Sequence, residues 1–441
     1  MTNEAWWEQH EKRLHNDYFQ FLKFSSISTD PSYKADVLAC SDWLTTYLEK
    51  LGLEVEVWKT SGHPTLFATN TDAGSDRPTL LIYHHYDVQP VDPLELWDSP
   101  PFEPTVRNGN VYARGACDNK GQCFYTLAAI EAAGKLGFNL KLIIEGEEEI
   151  GSSGLSKLAQ EKADALAADY LLVIDVDMPG KDEPGICLGV RGISTLEIEM
   201  RGANADLHSG NHGGMAYNPA RALMETLVKC WDVEGRIAIP GFMEGIEPIA
   251  IEELEMLDME MDEKAYQDLF GIAVLAGGKT ANWLEPTIEI NGFESGYTGE
   301  GFKTIIPAVA KCKLSCRLVP GQNPDAIAAL VSDFIKAEAV PGLEVKIAIH
   351  HGGASVRTSA QAPFAKLCAH ALEEVFKKKC RYILAGGSIP IASQLAEASG
   401  GEVLFLGMGL PEDAIHSPNE HFGLDRLRQG FLTVLKIFQN L

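Results

Sequence analysis

The residues best suited to chemistry lie in five short motifs. HHYDVQP holds His84, His85 and Asp87, and RGACDNKG holds Asp118. EGEEEIGSSGL holds Glu145, Glu147, Glu148 and Glu149; VIDVD holds Asp175 and Asp177; AIHSPNE holds His416. Imidazole and carboxylate are the donors that zinc and related divalent ions take in hydrolytic sites. His85 and Asp87 are two apart, so they project to one side if their strand continues. One imidazole nitrogen can then bind a metal while the carboxylate takes the other N–H. Neighbouring carboxylates such as Glu148 and Glu149 can divide labour, one on a metal and one handling protons. Each motif alone has a plainer reading: an ordinary His–Asp contact, a helix N-cap at Asp118, a solvated acidic turn, a loop residue.

The elements around the motifs make the joint reading stronger. TLLIYHH, NLKLIIEGEEE, DYLLVIDVD and GEVLFLGMG are nearly continuous apolar runs, typical of strands buried on both faces. Several of the candidates fall just past these runs or in the loops after them, where open α/β sheets collect their ligands, while Asp118 lies just before a helix. Helices are expected in the first thirty residues, from Ala35 to Leu51 before Gly52, and over GQCFYTLAAIEAAGKLG up to Gly137. This alternation predicts an α/β fold, a mainly parallel sheet flanked by helices. The middle of the chain differs. GISTLEIEMRG alternates with period two, and two β–α–β runs follow. A smaller α+β domain is therefore expected inside the larger one: residues 1–189 and 356–441 form the catalytic domain, and 190–355 the insertion. The acidic, Met-rich IEELEMLDMEMDEKAYQDLFG reads as a solvated helical insertion.

Composition limits the partners. At 441 residues, two or three domains are expected. A formal charge of −25 argues against nucleic acid, whose phosphates need clustered Lys and Arg. No run is long and apolar enough to cross a bilayer, so no membrane is expected. The stretch MTNEAWWEQHEKRL lacks the apolar core of a signal peptide. Nine cysteines without a CxxC pair suggest reduced, buried thiols and a cytoplasmic protein. Cys312 and Cys316 would share one face of a strand.

Taken in order, these motifs, with WDSPPFEP, DLHSG and GGSIPIA between them, resemble the dinuclear metallopeptidases that include carnosinase-type cytosolic dipeptidases, carboxypeptidase G and aminoacylase. DVQP, DLHSG and GGSIP resemble the carnosinase-type branch. The resemblance implies a homodimer formed through the inserted domain as a lid, and two divalent ions per subunit, zinc before manganese or cobalt. It implies that His85, Asp118 and Asp175 hold one ion and that Asp118, Glu149 and His416 hold the other. Asp87 would orient His85, and Glu148 would be the general base. His208 would reach a substrate oxyanion across the dimer. Arg317, Gly387 and Ser388 would bind the substrate carboxylate, with Thr304 and His351 nearby. Ions about 3.5–4 Å apart suit attack of water on an amide. Three positions depart from the pattern: His84 where glycine is common, Asn119 where a second aspartate is common, and Cys117 beside Asp118. The family often has a cis peptide at the step after Asp118. His84 rivals His85, and Asp177 rivals Asp175.

The resulting expectation is hydrolysis of dipeptides or similar small peptides. Deacylation of N-acyl amino acids is the nearest alternative, and a catalytically silent metal-binding assembly protein the more distant one. A dinucleotide-binding dehydrogenase is disfavoured, because no GxGxxG follows the first strands.

Overall fold

The protein is described by a computed structural model that covers residues 1–441 and every side chain except that of His351. A large sheet runs in the order Glu54–Trp58, Thr65–Asn70, Asn139–Glu145, Thr79–His85, Tyr170–Ile174, Glu402–Leu406, Gly185–Val190, Val356–Arg357, with Arg381–Ala385 also paired to Gly185–Val190. Its centre is parallel: Asn139–Glu145, Thr79–His85, Tyr170–Ile174 and Glu402–Leu406 lie side by side in one direction. The strand Glu54–Trp58 and its neighbour are antiparallel.

The apolar runs feed two cores because strand side chains alternate. Leu80, Ile82, Leu140, Leu142, Leu172, Leu404 and Leu406 face one core, shared with helices Asn3–Leu22, Lys34–Lys50, Lys120–Ala133, Pro363–Phe376 and Leu424–Asn440. Leu81, Tyr83, Ile143, Leu171, Val173, Val403 and Phe405 face the other, under Ser153–Glu161 and Pro390–Ser399. A strand covered on both faces has no polar positions to spare, so the chemistry is displaced to its ends.

The second sheet is antiparallel, in the order Thr287–Ser295, Val309–Leu318, Gly192–Arg201, Glu344–Gly353. Leu196, Ile198 and Met200 point to a core closed by Pro219–Leu227 and Pro324–Glu338. Cys312 and Cys316 are buried in that core, on one face as their spacing predicts. The other face carries Glu197, Glu199, Lys311 and Lys313, which pair across strands. Its clean alternation matches the period-two pattern of GISTLEIEMRG.

Two local expectations change. The helix after Asp118 stops at Ala133, because Gly134 takes φ 60, so Gly137 lies beyond it. The acidic stretch forms two short helices, Ile251–Leu254 and Glu263–Phe270, and is not wholly solvated. Between them Leu257 enters the main core, and Asp258 N donates to Tyr382 O at 2.8 Å. The apolar Met256, Leu257 and Met259 give that segment a face to bury, which its acidity masks in the sequence.

Candidate metal centre

Four strand ends converge on the centre. His85 ends its strand with its ring buried. Its Nε2 lies 2.9 Å from Asp118 Oδ1 and 3.6 Å from Asp175 Oδ1. Its Nδ1 lies 3.1 Å from the Asp87 backbone oxygen and 3.5 Å from the Asp87 carboxylate. That carboxylate accepts hydrogen bonds from Glu148 N at 3.2 Å and Glu149 N at 3.1 Å. Asp87 therefore ties the first motif to the third. The neighbouring His84 faces away: its nitrogens meet Asn119 Oδ1 at 2.9 Å and Thr126 Oγ1 at 3.0 Å. Burial pushes its pKa down to about 3, so its ring stays neutral. That commitment to Asn119 and Thr126 leaves His85 as the imidazole facing the acids.

Asp118 sits between two groups. Its Oδ1 meets His85, and its Oδ2 lies 2.9 Å from His416 Nε2. His416 is also 3.3 Å from Glu149 Oε2. The peptide joining Asp118 to Asn119 is cis, as the motif resemblance implies. Asn119 Nδ2 donates to Asp175 Oδ1 at 2.6 Å, so the residue in place of a second aspartate buttresses a neighbouring acid.

Electrostatics separate the acids. Burial raises the Asp118 carboxyl, but hydrogen bonds from His416 and His85 outweigh it and hold the group below the usual range. The same bonds, from Asp118 and Glu149, lift His416 to about 10. Glu148 moves the other way: burial, reinforced by Asp175, Glu149 and Asp118, raises it well above an ordinary carboxyl. Glu149 is raised as well, by burial and by Asp118, so the carboxyls spread apart, Asp118 down and Glu148 and Glu149 up, a spread that acid–base chemistry can use.

Donor chemistry fits a pair of divalent ions. His85, Asp118 and Asp175 each offer an atom within 4.8 Å of the others, and so do Asp118, Glu149 and His416. Asp118 belongs to both groups. Clustered acids with only two imidazoles need cations to balance them.

Two residues of this shell escape the sequence reading. Glu420 is fully buried and accepts from Arg114 Nη1 at 2.7 Å, Gly115 N at 2.9 Å, Cys117 N at 3.0 Å and Asp118 N at 3.1 Å. It fixes the loop that presents Asp118. Gln89 Nε2 donates to Glu149 Oε2 at 2.7 Å. Both lie within quoted motifs, but spacing alone gives them no partner.

A search against known families matches the Peptidase family M20/M25/M40 over residues 81–440. The chain belongs to this family. The Cys-Gly metallodipeptidase dug1 of Schizosaccharomyces pombe is 31% identical over 445 residues, covering 95% of this chain and 92% of that one. The Beta-Ala-His dipeptidase of Homo sapiens is 30% identical over 388 residues, covering 83% and 75%. The crystal structure of the M20 family metallo-carboxypeptidase Sso-CP2 from Sulfolobus solfataricus superimposes with a TM-score of 0.88 at 30% identity, covering 97% of this chain and 98% of that one. The family resemblance of the motifs, and the α/β fold it implies, are borne out.

In this M20 peptidase the centre opens into a cavity of about 440 Å³. Asp118, Glu148, Asp175 and His416 line it together with Gly387 and Ser388. Ser388 Oγ also accepts from Arg317 Nη1 at 2.8 Å, so the arginine reaches the cavity wall through it. His208 and Thr304 lie elsewhere: both are exposed on the smaller unit, and neither lines the cavity. They sit close together, since Leu207–His208 pairs with Ile305–Ile306 and Ser209 N donates to Thr304 O at 3.0 Å. His351 is in the strand Glu344–Gly353, and its side chain is outside the described residues.

Proposed function

We propose that this peptidase hydrolyses the amide bond of dipeptides, with two divalent ions held by His85, Asp118 and Asp175 and by Asp118, Glu149 and His416. The observation that carries this reading is Asp118, whose two oxygens each face a separate histidine at 2.9 Å. The metallodipeptidase and dipeptidase relatives support the substrate class. When bound, such ions polarise the amide carbonyl and lower the pKa of water. Glu148 accepts the proton of the attacking water and delivers it to the leaving amine. Burial, with acidic neighbours added, raises its pKa above that of an ordinary carboxyl. Asp87 holds Glu148 and Glu149 in register through their backbone N–H groups. Arg317 and Ser388 receive the substrate carboxylate, because a guanidinium fork matches its two oxygens.

Residues 190–355 serve as a lid and dimerisation domain between 1–189 and 356–441. The exposed position of His208 and Thr304, away from their own cavity, supports a role in a partner subunit's site. Zinc is the expected ion, and the cytoplasm the expected compartment, given nine buried free thiols.

The test is removal of metal with a chelator, followed by zinc, manganese or cobalt and a panel of free dipeptides and N-acetyl amino acids. Restored cleavage of free dipeptides is expected. Cleavage confined to N-acetyl amino acids would favour a deacylase instead.

A further inference from the structure

The chain crosses from the large sheet to the smaller one at Arg191, between the strands Gly185–Val190 and Gly192–Arg201. Hydrogen bonds stitch this crossover to the loop 386–388, whose Gly387 and Ser388 line the central cavity. Arg191 N donates to Gly387 O at 3.0 Å, and Arg191 Nε donates to Gly386 O at 2.8 Å. Ser388 Oγ donates to Gly192 O at 3.0 Å and accepts from Arg317 Nη1 at 2.8 Å. Arg191 also reaches the smaller unit: its Nη1 donates to Glu285 O at 3.3 Å and lies 3.5 Å from Thr287 Oγ1. Thr287 stands directly opposite Arg317 in the antiparallel sheet, so both guanidinium groups belong to one corner of the molecule. A Cβ on Gly386 would stand 2.1 Å from Asn282 Oδ1, so the loop is hemmed in from that side as well.

The acceptors of both guanidinium groups are neutral: the carbonyls of Gly386 and Glu285 and the hydroxyls of Thr287 and Ser388. Arg191 is only 7% exposed. Burial and the charge of Arg317 both work against its cation, which a guanidinium nevertheless keeps at neutral pH. Glu289 is the acid that bears on Arg191, and it is exposed. Two like charges in one corner, one of them buried, are costly until an anion meets them. The substrate carboxylate assigned above to Arg317 and Ser388 is such an anion.

We propose that Arg191 is a positioning residue for recognition of the substrate carboxylate, holding loop 386–388 against the smaller unit and adding a second positive charge behind Arg317 and Ser388. Arg191 does not line the cavity, so it acts through the loop and through its field. The inference rests on the dipeptidase reading above and on the role given there to Arg317.

The test compares Gly-Leu with glycyl-leucinamide, which lacks the carboxylate, on metal-loaded wild type, Arg191→Gln and Arg191→Lys. Glutamine keeps a donor for Gly386 O and loses the charge; lysine keeps the charge and loses the planar fork. Wild-type kcat/KM should favour Gly-Leu by about 100-fold or more. R191Q should raise KM for Gly-Leu by about tenfold or more, with kcat within about threefold and kcat/KM on the amide nearly unchanged. R191K should recover part of that loss, and metal content per subunit should hold in both variants. An equal loss on both substrates, a loss confined to kcat, loss of metal, or an unchanged KM in R191Q would overturn the proposal. If R191Q does not fold, R191K decides: a KM for Gly-Leu raised about threefold with the amide unaffected supports it, and a parent-like KM or an equal loss on both substrates overturns it. A wild type that does not prefer Gly-Leu also overturns it. Failure to cleave any free dipeptide would strike the dipeptidase reading itself, a separable result.

Discussion

Glu420→Gln separates two tasks that one carboxylate performs at the metal centre. Oε1 of Glu420 accepts from Cys117 N and Asp118 N, and Oε2 accepts from Gly115 N and Arg114. In the amide, the oxygen can stay on Cys117 and Asp118. The NH2 group then faces two donors, Gly115 N and the Arg114 guanidinium. Arg114 keeps its bond to Pro90 O at 2.9 Å but loses its countercharge. Both partners of that ion pair are only 1% exposed, so solvent cannot replace the lost charge. Breaking one side of a buried pair costs about 3–5 kcal/mol. The variant should therefore unfold at a clearly lower temperature. Loss of support behind a ligand typically weakens metal binding by about 10–100-fold. The low end is expected here, because the bonds to Cys117 N and Asp118 N survive in part. The assay is competition for zinc against a chelator of known affinity, read beside a thermal melt. A second variant, Arg114→Met with Glu420→Gln, removes the orphaned charge and should recover stability without recovering metal affinity. Parent-like zinc affinity in both variants would refute the claim that Glu420 positions Asp118.

Glu145 gives a pH test. Burial, with Asp87 nearby, raises its pKa from 4.5 to about 8 against the opposing bonds from Tyr83 and Ser152. The folded chain keeps a proton that the unfolded chain releases, so this contribution is complete below 4.5 and fades as pH rises through 8. The Tm of metal-free protein should fall over that window more steeply in the wild type than in Glu145→Gln; parallel curves would count against it. For His208, mixing is decisive: in the proposed dimer, His208→Ala and Glu148→Gln subunits should each be nearly inactive alone, and a mixed dimer would have one site with both groups intact. Activity should rise on mixing, and a flat response would place His208 outside the partner's site.

The large sheet was legible because strands covered on both faces leave continuous apolar runs, and these also mark the ends where chemistry collects. Four of the five candidate donors, His85, Glu149, Asp175 and His416, end or follow such runs, whereas Asp118 precedes the helix Lys120–Ala133 and the rivalry of His84 with His85 left no such mark. Two adjacent strand residues point to opposite faces, and only packing tells which face holds Asn119 and Thr126. Glu420 escaped because its partners are backbone N–H groups some 300 residues earlier, which no local pattern encodes. The segment around Leu257 escaped because its burial depends on an edge, near Tyr382, supplied by a distant strand.

The central claim is that Glu148 moves the proton while five other residues hold two ions. Metal content and dipeptide turnover of Glu148→Gln, measured on the same preparation, test it most directly. The account predicts about two divalent ions per subunit and turnover reduced by at least about 10²-fold. Near-normal turnover, or loss of the ions along with activity, would contradict it.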